Sequence, residues 1–210
     1  MQVLLARHER KPFLDRIVTG DEKWIFFDNP KRQKSWVKPG TLPKTTVRPN
    51  RFGKKTMLCV WWDTDGVVYY ELLKPGETVN TARYRQQLVN LRDSLDEKRP
   101  IWRERHNKLI LLHDNAPAHT TVVVKNVIQE FQWETLPHPA YSPDLAPSDY
   151  HLFSHLEKAL KHQRFQNEKE VEIWVYIFFD QKNKDCYRAG IRALPERWTK
   201  CIAKEGDYFE

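Results

Sequence analysis

The spacing of apolar and polar positions changes period several times along this chain, and each change marks an element. From Arg16 to Asp28 the run RIVTGDEKWIFFD is dense in β-branched and aromatic residues, the composition of a strand. Thr56–Asp63 and Val67–Leu73 read as two more strands, joined by Thr64, Asp65 and Gly66 in a hairpin turn. The period then lengthens. Between Asn80 and Lys98 the residues Tyr84, Leu88, Leu91 and Leu95 recur at the spacing of one helix face. Leu109–His113 is a short apolar run suited to a buried strand, and Val123, Val124, Val127, Ile128 and Phe131 give the stripe of the next helix. Trp133–Leu136 predicts a fifth strand. Beyond the prolines 137, 139, 143 and 147, Ser148 is placed to cap a helix with Leu152, Phe153, Leu156 and Leu160 as its stripe. The remainder reads as helical, although Val171–Phe179 carries enough β-branched and aromatic residues to suit a strand as well. Three hairpin-linked strands, a helix, a strand, a helix, a strand and further helices predict an α/β fold: a mixed five-stranded sheet with helices on both faces.

One stretch breaks this rhythm. Asn29–Lys55 holds Pro30, Pro39, Pro43, Pro49, Gly40 and Gly53 among many lysines and arginines, with no acidic residue. It is far longer than the usual connection of about 4–6 residues, which marks it as a functional arm inserted between the first two strands. Residues 1–12 are charged, with a possible helical tail from Leu4 to Lys11 ending before Pro12, and read as the end of a connector, leaving 13–210 as a single domain. With 40% hydrophobic residues the chain can bury a stable core. Its longest apolar runs fall short of the roughly 18 residues of a membrane span, and the start lacks the pattern of a secretory signal. Three cysteines in no metal-ligand spacing predict neither disulfides nor a zinc site, and so a reducing compartment. The net charge of +7 favours a polyanionic partner.

Candidate chemistry lies at element ends. Asp114 follows an apolar strand, Asp149 opens a helix on the side of its apolar stripe, and Asp21 stands within the first strand beside Gly20. Each has an ordinary structural role open to it, as turn former, helix-start charge or surface residue. The element order nevertheless converges all three on one end of the sheet, where like charges repel unless cations lie between them. Mg²⁺, a hard ion that takes carboxylate oxygens, suits such a set. His113 and His119 flank Asp114, but their spacing and Pro117 point to supporting roles rather than ligation. Trp24, Trp61 and Trp62 fit either core packing or stacking on bases, and Arg48, Asn50, Arg51, Lys54 and Lys55 are placed to grip phosphates.

The blocks VTGDEKW (Val18–Trp24), LLHDNAPAH (Leu111–His119) and YSPDLAPSDYHLF (Tyr141–Phe153) resemble the three catalytic blocks of the mariner family of DNA transposases. So does the interval of 34 residues between Asp114 and Asp149. The segments NRFGKKTMLCVWWD, KPGETVNTARY and LPERWTKC extend the likeness over nearly the whole chain. The resemblance implies an RNase H-like fold, with Asp21, Asp114 and Asp149 as a metal-binding catalytic triad and Asn29–Lys55 as a clamp loop reaching a second subunit. It also implies two Mg²⁺ ions, with Mn²⁺ able to substitute, a homodimer, and double-stranded DNA as partner in the nucleus. The implied reaction is cleavage at transposon ends followed by joining to TA targets. The family's helix-turn-helix modules have no counterpart in this chain, so recognition of terminal repeats should be missing. Glu172–Gln181 is also more apolar than the family's charged helix there. Two other classes fit more loosely: a domesticated DNA-binding and dimerisation module without turnover, and a nuclease acting on RNA in hybrids.

Overall fold

A computed structural model describes residues 1–30, 53–100 and 109–209. In it the alternating segments pair as β1 Ile17–Phe26, β2 Lys55–Asp63, β3 Gly66–Leu73, β4 Ile110–Leu112 and β5 Glu134–Thr135, in the order β3-β2-β1-β4-β5. β1, β2 and β3 run antiparallel, whereas β4 and β5 are parallel to their neighbours, giving the mixed five-stranded sheet expected. Gly66, at φ 131°, closes the β2–β3 turn in a conformation that side chains resist.

Helices cover both faces because the strands present apolar residues on both. On one face Val18, Cys59, Trp61 and Leu111 pack beneath Tyr84, Leu88 and Leu91 of α2 (Thr81–Lys98) and Val124, Val127 and Ile128 of α3 (Val122–Glu130). Asn80 and Thr121 start these helices, their side chains accepting from the amides of Arg83 and Val124. The opposite face is Ile17, Leu58, Val60, Trp62, Ile110 and Leu112. It lies under a π-helical segment, Ser148–Phe153, continued by α4 (Ser154–Leu160), and under α5 (Glu168–Asp180), α6 (Lys184–Arg192) and α7 (Leu194–Ala203).

One expectation changes. Ser148 is not a helix cap: it lies inside the π-helical segment, fully buried, and its Oγ accepts from Trp62 Nε1 at 3.1 Å. Val171–Phe179 keeps its helical reading over the strand alternative, since Val171, Val175, Phe178 and Phe179 face the core at helical spacing and Asn167 caps the segment. The first residues form a helix, α1 (Gln2–Arg10), docked on α7 with Leu4 buried and Arg7 paired to Glu134 of β5. Most of the arm, with Arg48, Asn50 and Arg51, lies outside the described residues. Its two ends do meet, the amide of Phe27 donating to the carbonyl of Lys54 at 2.9 Å.

Candidate active site

The parallel pairing of β1 with β4 sets the geometry. Thr19 stands opposite Leu112, and Asp21 and Asp114 each come two residues later, so the two carboxylates leave their strands at one height. Within β1 the alternation sends Ile17 and Asp21 to the face under the π-helical segment, and Val18 and Glu22 to the face under α2. The start of the π-helical segment brings Asp149 to Asp21. Asp149 lines two adjoining clefts, one with Asp114, Asn115, His138 and Tyr141, the other with Lys23, Trp24, Lys55 and Glu157.

The electrostatics follow from this arrangement. Burial, then the charges of Asp149 and Glu22, push the Asp21 carboxyl well above the usual carboxylate range, and Asp114 adds to this. Burial also raises Asp149, with Asp114 adding and Lys23 opposing. Asp114 goes the other way, lowered by its hydrogen bond with His119. One oxygen of each strand-borne carboxylate is occupied. Asp21 Oδ1 accepts the amide of Glu22 at 2.7 Å, and Asp114 Oδ1 accepts the amide of Ala116 at 2.9 Å and faces His119 Nδ1 at 2.7 Å. Among the described residues the second oxygens have no hydrogen-bond partner.

Sequence reasoning misses Glu22, Tyr84 and Lys23, yet they complete the site. His119 is buried between Asp114 and Glu22, whose Oε1 lies 3.2 Å from its Nε2. Burial works against a charge on His119, but these two carboxylates outweigh it and hold the imidazole up at about 9. Tyr84 stacks on His119 with centroids 3.9 Å apart, and its hydroxyl meets His113 Nδ1 at 2.7 Å. The two histidines therefore support Asp114. Lys23 pairs with Glu157 beside Asp149. No pattern along the chain announces these contacts, because each joins residues far apart in sequence. Of the basic residues, Lys54 is exposed, and the ammonium of Lys55 sits 4.1 Å from the Trp24 ring centroid at the mouth of the second cleft. Trp61 and Trp62 belong to the core.

Comparison with known proteins bears on this arrangement. A family model described as "Transposase (partial DDE domain)" matches residues 26–105. The chain is 59% identical to Mariner Mos1 transposase of Drosophila mauritiana over 209 residues, covering all of this chain and 61% of that protein. It is 39% identical to histone-lysine N-methyltransferase SETMAR of Homo sapiens, covering 99% of this chain and 30% of that one. The crystal structure of the catalytic domain of Mos1 mariner transposase superposes with a TM-score of 0.86 at 53% identity, with 100% of this chain and 91% of that one covered. The chain belongs to the mariner transposase family. Mos1 structures described as the paired end complex with Mg and the Strand Transfer Complex match with TM-scores of 0.93 and 0.91, at 59% identity over 61% and 60% of their chains. A paired end complex with Mn matches at 0.94, again over 61% of that chain. This mariner-type chain thus spans about three-fifths of the length of Mos1 and corresponds to its catalytic domain.

Proposed function

We propose that this chain cleaves DNA at transposon ends and transfers the strands into TA targets, using divalent metal ions held by Asp21, Asp114 and Asp149. The observation that carries the reading is the convergence of three carboxylates, two of them with raised pKa, at one end of the sheet. Buried acids in mutual repulsion are tolerated where cations offset them, and a set of hard oxygen donors fits Mg²⁺ or Mn²⁺ rather than a soft ion. Mos1, its relative, has been solved as paired end complexes with Mg and with Mn.

Two ions bound there would supply an activated attacking oxygen on one side of the scissile phosphate and a stabilised leaving oxygen on the other. The chain's own residues prepare the site. His119, held by Glu22, fixes one oxygen of Asp114 and leaves the other toward the cleft. The amide of Glu22 does the same for Asp21. Asp149, on the ridge between the clefts, faces both sides of a strand laid across them. Lys55 at the rim, with Lys54 and with Arg48, Asn50 and Arg51 of the arm, supplies phosphate contacts that hold duplex DNA without reading its bases. The arm Asn29–Lys55 clamps a second copy, so the working form is a homodimer acting in the nucleus.

The test uses labelled duplexes with free 3′-hydroxyl ends, with and without Mg²⁺. Metal-dependent nicking and joined products are expected, on a background of DNA binding that weakens steeply with salt. DNA binding without metal-dependent cutting would leave a binding and dimerisation module instead.

A further inference from the structure

A second donor cluster lies apart from the carboxylates and has no part in the reaction above. His151 stands in the π-helical segment, His155 lies one turn later in α4, and Cys186 is in the first turn of α6. Cys186 Sγ lies 3.6 Å from His151 Nε2 and 4.0 Å from His155 Nδ1, and the two imidazole centroids are 4.6 Å apart. One nitrogen or sulfur atom from each residue falls within 4.8 Å of the others. All three side chains are partly exposed, which leaves an entry path from solvent.

We propose that His151, His155 and Cys186 form a site for a borderline-soft transition ion, Zn²⁺ by its chemistry, with solvent in the fourth position. Zn–N bonds of about 2.0–2.1 Å and a Zn–S bond of about 2.3 Å put tetrahedral donors roughly 3.4–3.6 Å apart. The Cys186–His151 pair already has that separation, and His155 needs only a small side-chain rotation. Two imidazoles and a thiolate suit Zn²⁺ far better than Mg²⁺, the reverse of the preference at the three aspartates.

The surroundings hold these ligands in place. The His151 ring lies against Trp62, centroids 6.3 Å apart, and a Cβ at Gly190 would come within 2.7 Å of its Cδ2, so only glycine lets α6 approach this closely. Asn183 accepts the amide of Cys186 at 3.0 Å and fixes the start of α6. The spacing rule that argues against zinc fails here because the cysteine and the first histidine are 35 residues apart and meet only through the fold. An ion at this site would tie α6 to the helical segment that carries Asp149.

Co²⁺ serves as the spectroscopic stand-in for Zn²⁺, added to the whole chain in excess Mg²⁺ so that hard-donor sites are filled. One equivalent should bind with a thiolate-to-cobalt charge-transfer band and the intense visible bands of tetrahedral Co²⁺, and Zn²⁺ should displace it. Cys186→Ser should abolish the charge-transfer band. His155→Ala should weaken binding by at least the 10- to 100-fold or so seen when a mere outer partner is lost. Both positions are partly exposed, and circular dichroism checks that the variants fold. Asp149→Asn should keep the band, which separates this site from the carboxylates. The proposal is overturned by a parent chain without the band, by a band that survives Cys186→Ser, or by one that disappears with Asp149→Asn.

Discussion

Trp61 and Trp62 are neighbours in β2, both fully buried, and they face opposite sides of the sheet. Trp61 lies over Gly20, stacks on Tyr69, lies tilted against Tyr84, and has an indole nitrogen without a hydrogen-bond partner among the described residues. Through Tyr84 and His119 it backs the side of the site that holds Asp114. Trp62 donates to Ser148 and packs against His151 and Tyr187, so it backs the segment that carries Asp149. One carboxylate is thus supported by stacked rings and an ion pair, the other by a hydrogen-bonded helix start. Adjacent residues of one strand can therefore govern two different walls of a site, each by its own kind of interaction.

The largest effect tests whether those walls share one purpose. Asp149→Asn, Asp114→Asn and Asp21→Asn should each lower DNA cleavage by orders of magnitude, read as labelled product per unit time in Mg²⁺. Without metal, Asp149→Asn should melt at the parental temperature or higher, because one of several repelling charges is gone. If Asp149 only served the helix start, stability would fall by about 0.3–1 kcal/mol and cleavage would persist. Added Mg²⁺ should stabilise the parent more than the variant, as mass action requires of a ligand bound to the native state.

Next comes the packing under Trp61. A Cβ at Gly20 would stand 2.2 Å from Trp61 Nε1, inside a fully buried ring with nowhere to move. Gly20→Ala should therefore cost about 1–3 kcal/mol in urea unfolding, the range for an overpacked core. A variant as stable as the parent would show that this side of the sheet yields more readily than its contacts suggest.

The two tryptophans themselves give a finer contrast. Trp62→Phe leaves the buried Ser148 hydroxyl without its donor, whereas Trp61→Phe removes a nitrogen that has no partner among the described residues. Both lose ring volume, so the informative quantity is the difference. Trp62→Phe should be the more destabilising by about 1 kcal/mol, the scale of one buried hydrogen bond. Equal losses would remove the distinction drawn between the two sides. Smallest of all, Ile177→Ser on the exposed side of α5, where Ile173, Tyr176 and Ile177 are about half exposed, should shift stability by no more than about 0.5 kcal/mol.

The sheet is legible in the sequence because its strands differ so plainly in period from α2, and the level meeting of Asp21 with Asp114 comes from a parallel β4 placed beside β1. The hidden part depends on contacts across long separations. Glu22 reads as one more charge beside Asp21 until the fold brings His119, 97 positions away, against it. Ser148 carries every mark of a cap, yet the indole of Trp62 claims its hydroxyl and draws it into the core. Val171–Phe179 has a strand's composition, and its helix is decided by which four side chains the core accepts. His151, His155 and Cys186 share no local motif at all.

The π-helical segment at Asp149 makes the site sensitive to chain length as well as to residue type. A π turn holds about one residue more than an α turn, and each residue of an α-helix rotates the chain beyond it by about 100°. Ser148, Leu152 and Phe153 are buried in the π winding, and Asp149 reaches the clefts from it. Deleting one residue between Ser148 and Phe153 would let the segment relax into ordinary α-helix with its two flanks nearly in register, whereas inserting one would rotate the aspartate by about 100° against the buried stripe. Substitutions in this stretch can be compared position by position, but an insertion here re-aims the carboxylate even when every residue type is kept.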